Sequence, residues 1–153
     1  MINHGVGVDT PNQVSLVPVD VAAQNIAAIS AMRAPGARIF HVTADRYSSM
    51  RDVTELLTED HGYAFTYHDI LGFIPEMNRR CTADDPLYPL LDFFNRSASK
   101  IAAMQLKRYR SDAYRDARAR SRAGQPDPPL RQTVSAITDY MLRAGFIRVA
   151  AGA

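Results

Sequence analysis

The chain has 153 residues, 46% of them hydrophobic and 22% charged, which leaves room for one compact domain with a core and too little for two ordinary ones. No stretch approaches the roughly 20 consecutive apolar residues of a membrane span, and Met1-Ile2-Asn3-His4-Gly5 lacks the basic stretch and apolar core of a signal peptide. The expected location is therefore cytoplasmic. The net charge of +2 is unevenly spread: between Ser97 and Arg122 eight lysines and arginines stand against two aspartates.

Residues 1–12, polar and containing Gly5, Gly7 and Pro11, read as a flexible N-terminal arm. Ser15 to Val19 is predicted as a short strand, with Pro18 confining it to an edge, and Asp20 as the cap of a helix. In that helix Val19, Ala22, Ala23, Ile26, Ala27 and Ile29 make a buried stripe at helical spacing, with Gln24 and Asn25 outward. The helix should stop near Arg33, before Pro35-Gly36. Arg38 to Thr43 alternates as a strand does, with Phe40 and Val42 toward the core.

Ser48 or Ser49 is expected to cap a helix carrying Met50, Val53, Leu56 and Leu57 on its apolar side and stopping at Gly62. Tyr63 to Tyr67 reads as a strand, and Asp69 opens a helix that Pro75 should divide. Asp85 to Phe94, the most apolar stretch, should be buried, with Pro86 in a first helical turn. The basic segment, partly helical, is broken at 123–129. Leu130, Val134, Ile137 and Met141 then line a terminal helix ending at Gly145, and 149–153 form a tail.

Alternating strands and helices raise the question of nucleotide binding, which needs glycines at a strand-to-helix turn so that backbone N–H groups can approach phosphates. No GxGxxG and no GxxxxGK loop is present, and no strand precedes Gly5-Val6-Gly7. A GxSxG elbow is absent as well. The four histidines and Cys81 show no metal-binding spacing, so no metal is implied, and His61 and His68 read as solvated loop residues. Cys81 has no identifiable histidine partner; Arg79 and Arg80 would lower its pKa, yet a plain structural cysteine is the favoured reading. Asp84 and Asp85, before a proline, read as a helix cap rather than as acid–base groups.

Three ordered stretches carry a resemblance. Leu16-Val17-Pro18-Val19-Asp20-Val21-Ala22 is like LVPVDYVA; Arg38-Ile39-Phe40-His41-Val42 is like an FHLVNP strand, followed by a Ser-capped helix and Gly62-Tyr63; Asp85-Pro86-Leu87-Tyr88-Pro89-Leu90-Leu91 is like NPLYPLL. From about Val14 to Gly145-Phe146-Ile147 the chain resembles the C-terminal portion of thioester reductase domains. These are extended short-chain dehydrogenase/reductase relatives found at the end of nonribosomal peptide and polyketide assembly lines and in carboxylic acid reductases. His41-Val42-Thr43-Ala44 lacks the family's Asn-Pro, and Val21 replaces an aromatic.

The resemblance implies a helix-rich α/β C-terminal subdomain with a few short strands, residues 13–148, lacking the Rossmann nucleotide-binding half. In the complete family enzyme that half binds NADPH and carries the catalytic YxxxK pair, and a carrier-bound acyl or peptidyl thioester is released as aldehyde or alcohol. Here Tyr109 and Tyr114 are followed four positions on by Ala113 and Arg118, so no catalytic residue is assigned and no cofactor is expected for this chain alone. The resemblance also implies that Val17, Pro18 and Val19 lie at the strand end nearest nicotinamide and substrate, and that Tyr88, as a buried phenol, borders the substrate channel. Ordinary core packing is the competing reading for Pro18 and Leu90.

Lys107, Arg108, Arg110, Arg115 and Arg118 are candidate docking residues for an acidic, phosphopantetheinylated carrier protein, since Arg suits phosphate and carboxylate. A solvated helix is the bland alternative. Nucleic acid is disfavoured, because no recognised binding motif accompanies the charge, and no membrane partner is expected. Two functions remain open: a substrate- and carrier-binding subdomain acting with a Rossmann half, or a stand-alone small protein using this half for ligand binding, carrier-protein interaction or non-redox catalysis. The first should expose an apolar face; the second should cover it or form a homodimer through it.

Overall fold

The computed structural model describes residues 1–32, 39–103 and 109–150. In chain order its elements are β1 (Val6–Val8), β2 (Gln13–Val14), α1 (Val19–Ser30), β3 (Ser48–Ser49), α2 (Met50–His61), β4 (Thr66–His68), α3 (Ile70–Arg80), α4 (Leu91–Ala103), α5 (Asp112–Arg120) and α6 (Leu130–Arg143). Single 3₁₀ turns stand at Ile2–His4 and Tyr88–Leu90. The architecture is the expected helix-rich α/β arrangement: α3 packs on α4, α2 on α6, and β1 lies against both α2 and α3.

The helices with strong local signals form where those signals stand. Ser49 Oγ accepts from the Asp52 N–H at 3.0 Å and Asp52 Oδ2 accepts from the Ser49 N–H at 2.7 Å, a reciprocal capping box, and Gly62 ends α2 at φ 72°. Asp69 caps α3 by accepting from the Gly72 N–H at 2.7 Å. Pro75 does not divide α3. It removes one donor, to the carbonyl of half-exposed Leu71, while Phe73, Ile74 and Met77 stay buried around it and hold the helix together.

Two clusters make the core. Val6, Val8, Phe73, Ile74, Met77 and Leu91 form one; Leu57, Tyr63, Val134 and Ile147 form the other. The expected arm is therefore not an arm. Val6 is fully buried, and β1 pairs in parallel with β4, Val6 opposite Thr66, Gly7 opposite Tyr67 and Val8 opposite His68. Gly7 marks a close approach rather than a turn, since a Cβ there would lie 2.8 Å from the Tyr67 ring. That ring is fixed by its hydroxyl, 2.9 Å from Thr54 Oγ1, and by the Arg51 guanidinium 4.2 Å from its centroid.

Other departures share a cause: short segments take their structure from neighbours rather than from propensity. The strand expected at Ser15–Val19 lies instead at Gln13–Val14, paired antiparallel with β3, and α1 starts at Val19 with Asp20 in its first turn rather than at its cap. Residues 39–47 form no strand, with Phe40 and Val42 half-buried; Arg33 and residues 34–38 lie outside the described residues, as do 151–153 of the tail. Asp85 to Phe94 is mostly exposed, Leu91 being its one buried residue. On α6, Thr133, Val134 and Thr138 are buried while Ile137 is exposed.

The clearest inversion is on α1, where Asn25 is the buried residue and Val19 and Ile26 are exposed, Val19 at 83%. Asn25 Nδ2 donates to Tyr114 Oη and to the Gln125 carbonyl, both at 3.0 Å, and Asn25 Oδ1 accepts from the Gln125 N–H at 2.7 Å. Those three bonds fasten α1 to α5 and the loop after it. Asn25→Leu should lower stability by about 1–3 kcal/mol, because it strands buried polar groups on the partner side. Ile26→Ser, at an exposed position of the same helix, should change it by less than about 0.5 kcal/mol. Urea unfolding midpoints of the two variants check both values.

Candidate functional site

The fold brings together three groups that spacing in the sequence kept apart. His4 comes from the first 3₁₀ turn, Cys81 from the end of α3 and Asp85 from the turn beyond it. His4 Nε2 lies 3.0 Å from Asp85 Oδ1 and 3.8 Å from Cys81 Sγ. All three residues are partly buried. Cys81 thus has a histidine partner after all, 77 residues away in the chain. Only the parallel pairing of β1 with β4 places that turn beside the end of α3.

The electrostatics also differ from expectation. Arg79 and Arg80 pair with Glu76 rather than serving the thiol. Burial, reinforced by the Asp85 carboxylate, pushes the Cys81 thiol up from its ordinary value. Asp85 does not cap a following helix; its Oδ2 accepts from the Thr82 N–H at 2.8 Å, which with His4 holds the carboxyl below the usual range. Asp85 further borders an apolar pocket of about 350 Å³ walled by Pro86, Leu87, Met141, Phe146 and Ile147. The histidines read as solvated are not free of the core: the Nε2 atoms of His61 and His68 are buried without a hydrogen-bond partner.

The basic segment divides into parts with different roles. Lys107 and Arg108 lie outside the described residues. Arg118 is not an open docking cation, because its guanidinium is largely buried, with Nη2 donating to both Asp45 oxygens at 2.8 and 2.9 Å and Nη1 3.5 Å from Asp127. Asp127 in turn accepts from the Asp45 N–H at 2.6 Å, so the three groups clamp the loops after residue 39 and after α5. Arg110 is exposed and Arg115 half-buried, and both pair with Asp112. They line, with Arg46, Tyr47 and Tyr109, a groove of about 520 Å³.

Val17 and Pro18 are half-buried and Val19 projects from the start of α1. Tyr88 is 48% exposed, so the buried phenol expected there is absent. Neither set lines the apolar pocket or the arginine groove. Leu90 and Phe93, beside Tyr88, are also more than half exposed, which leaves a second apolar surface at the start of α4.

Among solved structures, the chain is similar to the terminal R domain from the myxalamid PKS-NRPS biosynthetic pathway, with a TM-score of 0.82 and 16% identity over 98% of this chain and 38% of that one. It is also similar to an NADPH-dependent quinone oxidoreductase from Escherichia coli, with a TM-score of 0.55 and 17% identity over 90% of this chain and 48% of the other. Nearly the whole chain has the fold of part of each of these neighbours. This chain spans less than half the length of either neighbour. No protein-family model matches it, and no curated protein matches it in sequence. Among the described residues no helix is long and apolar enough to cross a membrane.

Glu76, Asp112 and Asp85, each held below its ordinary value, shape the acid limb of stability. Arg79, then Arg80, holds the Glu76 carboxyl below its ordinary value, and Arg115, then Arg110, does the same for Asp112. A lowered folded pKa contributes stability that is complete above the unfolded carboxyl range, near pH 4, and is lost as pH falls through the folded values. Urea midpoints measured from pH 6 downward should therefore fall below about pH 4, and less steeply in Glu76→Gln.

Proposed function

We propose that these residues form the substrate-side part of a larger NADPH-dependent thioester reductase, contributing the acyl-chain and carrier-binding surface while a separate nucleotide-binding half supplies the cofactor and the hydride chemistry. The observation that carries this reading is the fold likeness itself: nearly the whole chain superposes on little more than a third of a terminal R domain. The exposed apolar side of α1 supports it. Val19 and Ile26 lie outward on a helix whose polar Asn25 is turned in, which suits a helix packed between two bodies.

In this reading the residues at the start of α1, Val17, Pro18 and Val19, face the nicotinamide side, and Tyr88 reaches the acyl channel once the second half closes against it. The carrier docks at the groove of Arg46, Arg110 and Arg115, where exposed guanidiniums suit the phosphate of a phosphopantetheine arm. Steering by such exposed charges acts mainly on encounter rate and is weakened by salt. The stand-alone reading, in which the outward face is covered or dimeric, finds no equivalent support.

Isothermal calorimetry on the 153-residue chain should detect no NADPH binding, and heat from a saturable site would overturn the proposal. Joined to a nucleotide-binding half, the chain should support NADPH-dependent turnover of a carrier-bound acyl thioester. Ile26→Glu should leave the isolated chain folded by circular dichroism and abolish that turnover. Arg110→Glu together with Arg115→Glu should raise the KM for the carrier about tenfold or more with little change in kcat, an effect that shrinks at high salt.

A further inference from the structure

We infer that His4, Cys81 and Asp85 form a three-ligand site for a single zinc ion. The three side chains each offer one ligand atom, imidazole nitrogen, thiol sulfur and carboxylate oxygen, and those atoms all lie within 4.8 Å of one another. With metal–nitrogen and metal–oxygen bonds of about 2.0–2.2 Å and a metal–sulfur bond of about 2.3 Å, tetrahedral zinc holds neighbouring ligand atoms roughly 3.3–3.6 Å apart. The separations of 3.0 Å from His4 to Asp85 and 3.8 Å from His4 to Cys81 bracket that range. The third pair, Cys81 to Asp85, lies within 4.8 Å, so side-chain shifts of up to about an ångström close the site.

The groups behind the ligands hold them in place. Asp85 has its second oxygen taken by the Thr82 N–H at 2.8 Å and the Thr82 hydroxyl at 3.3 Å, which leaves Oδ1 directed at His4. The main chain of His4 is pinned by Arg80, whose guanidinium donates to the His4 carbonyl at 2.6 Å. Cys81 is packed against the cluster of Val6, Phe73 and Met77. The ligands come from the turn before β1, the residue that ends α3 and the turn beyond it, and these bonds and the packing of Cys81 hold them together.

Donor chemistry selects the metal. A thiolate with an imidazole suits zinc and the borderline-soft divalent ions, whereas magnesium and calcium take six or more oxygen donors. Binding displaces the Cys81 thiol proton to solvent and requires the His4 proton on Nδ1, so that Nε2 can donate its lone pair. Three protein ligands leave a fourth tetrahedral position for water or an exogenous donor. Of the three ligands, Asp85 lines the apolar pocket.

The site does not depend on the reductase reading, and its test leaves that reading untouched. Chelator-treated, reduced chain is titrated with Co²⁺ as a spectroscopic probe and then with Zn²⁺ against a chromophoric chelator. Wild type should show thiolate-to-cobalt charge transfer and intense tetrahedral d–d absorption, saturating at one equivalent and lost on adding Zn²⁺. Cys81→Ser should lose the charge-transfer band, and His4→Gln and Asp85→Asn should each weaken zinc binding about tenfold or more. Thr82→Val, which touches no metal, should weaken it by about tenfold. Folded wild-type chain with no charge-transfer band would overturn the proposal, as would His4→Gln or Cys81→Ser binding Zn²⁺ as tightly as wild type. Circular dichroism of each variant keeps misfolding distinct from lost ligation, and His4→Gln decides between the outcomes by itself if Cys81→Ser does not fold.

Discussion

The orientation of α1 depends on one buried amide. Asn25, fully buried, satisfies Tyr114 and both backbone groups of Gln125, and Tyr114 is itself fully buried on α5. A side-chain amide with that many partners in a dry site is costly to unpair, so the helix cannot roll to bury its apolar stripe instead. The Arg118 clamp on Asp45 and Asp127 closes the same side of the molecule with charge. The helix is thereby left with an outward apolar face at Val19 and Ile26.

The rest of the chain is organised by β1. Its two valines enter the cluster that α3 and Leu91 build, and Gly7 lets the strand pass against the Tyr67 ring. The turn before it reaches both cores, since Met1 packs on one cluster and Ile2 on the other. His4 therefore sits where the two clusters meet, against the end of α3. Cys81 and Asp85 are already there because α3 ends at that point.

Much of the secondary structure was legible where the signal is local. Ser49 with Asp52, Gly62 and Asp69 fixed both ends of α2 and the start of α3, because capping involves only residues within one turn. The likeness of Leu16 to Ala22 and Asp85 to Leu91 to reductase motifs pointed to the fold that the structural comparison then showed. The periodic apolar positions of α1 and α6 and the apolar run Asp85 to Phe94 read as core, and the structure instead leaves Val19, Ile26, Tyr88, Leu90, Phe93 and Ile137 exposed. Such a pattern could not say what covers an apolar face, and in the described residues much of that surface is open.

The sequence by itself determined the ends of α2, the start of α3, the helix-rich α/β class and the absence of a glycine-rich phosphate loop, since each depends on a few adjacent residues. Only the tertiary structure decided that residues 6–8 belong to the core, that Asn25 rather than Ile26 faces inward, that Arg118 is spent on two aspartates, and that His4 meets Cys81 and Asp85. Those outcomes turn on contacts between residues some 60 to 100 positions apart. Local propensity carries no information about such pairs; packing two cores at once selects them.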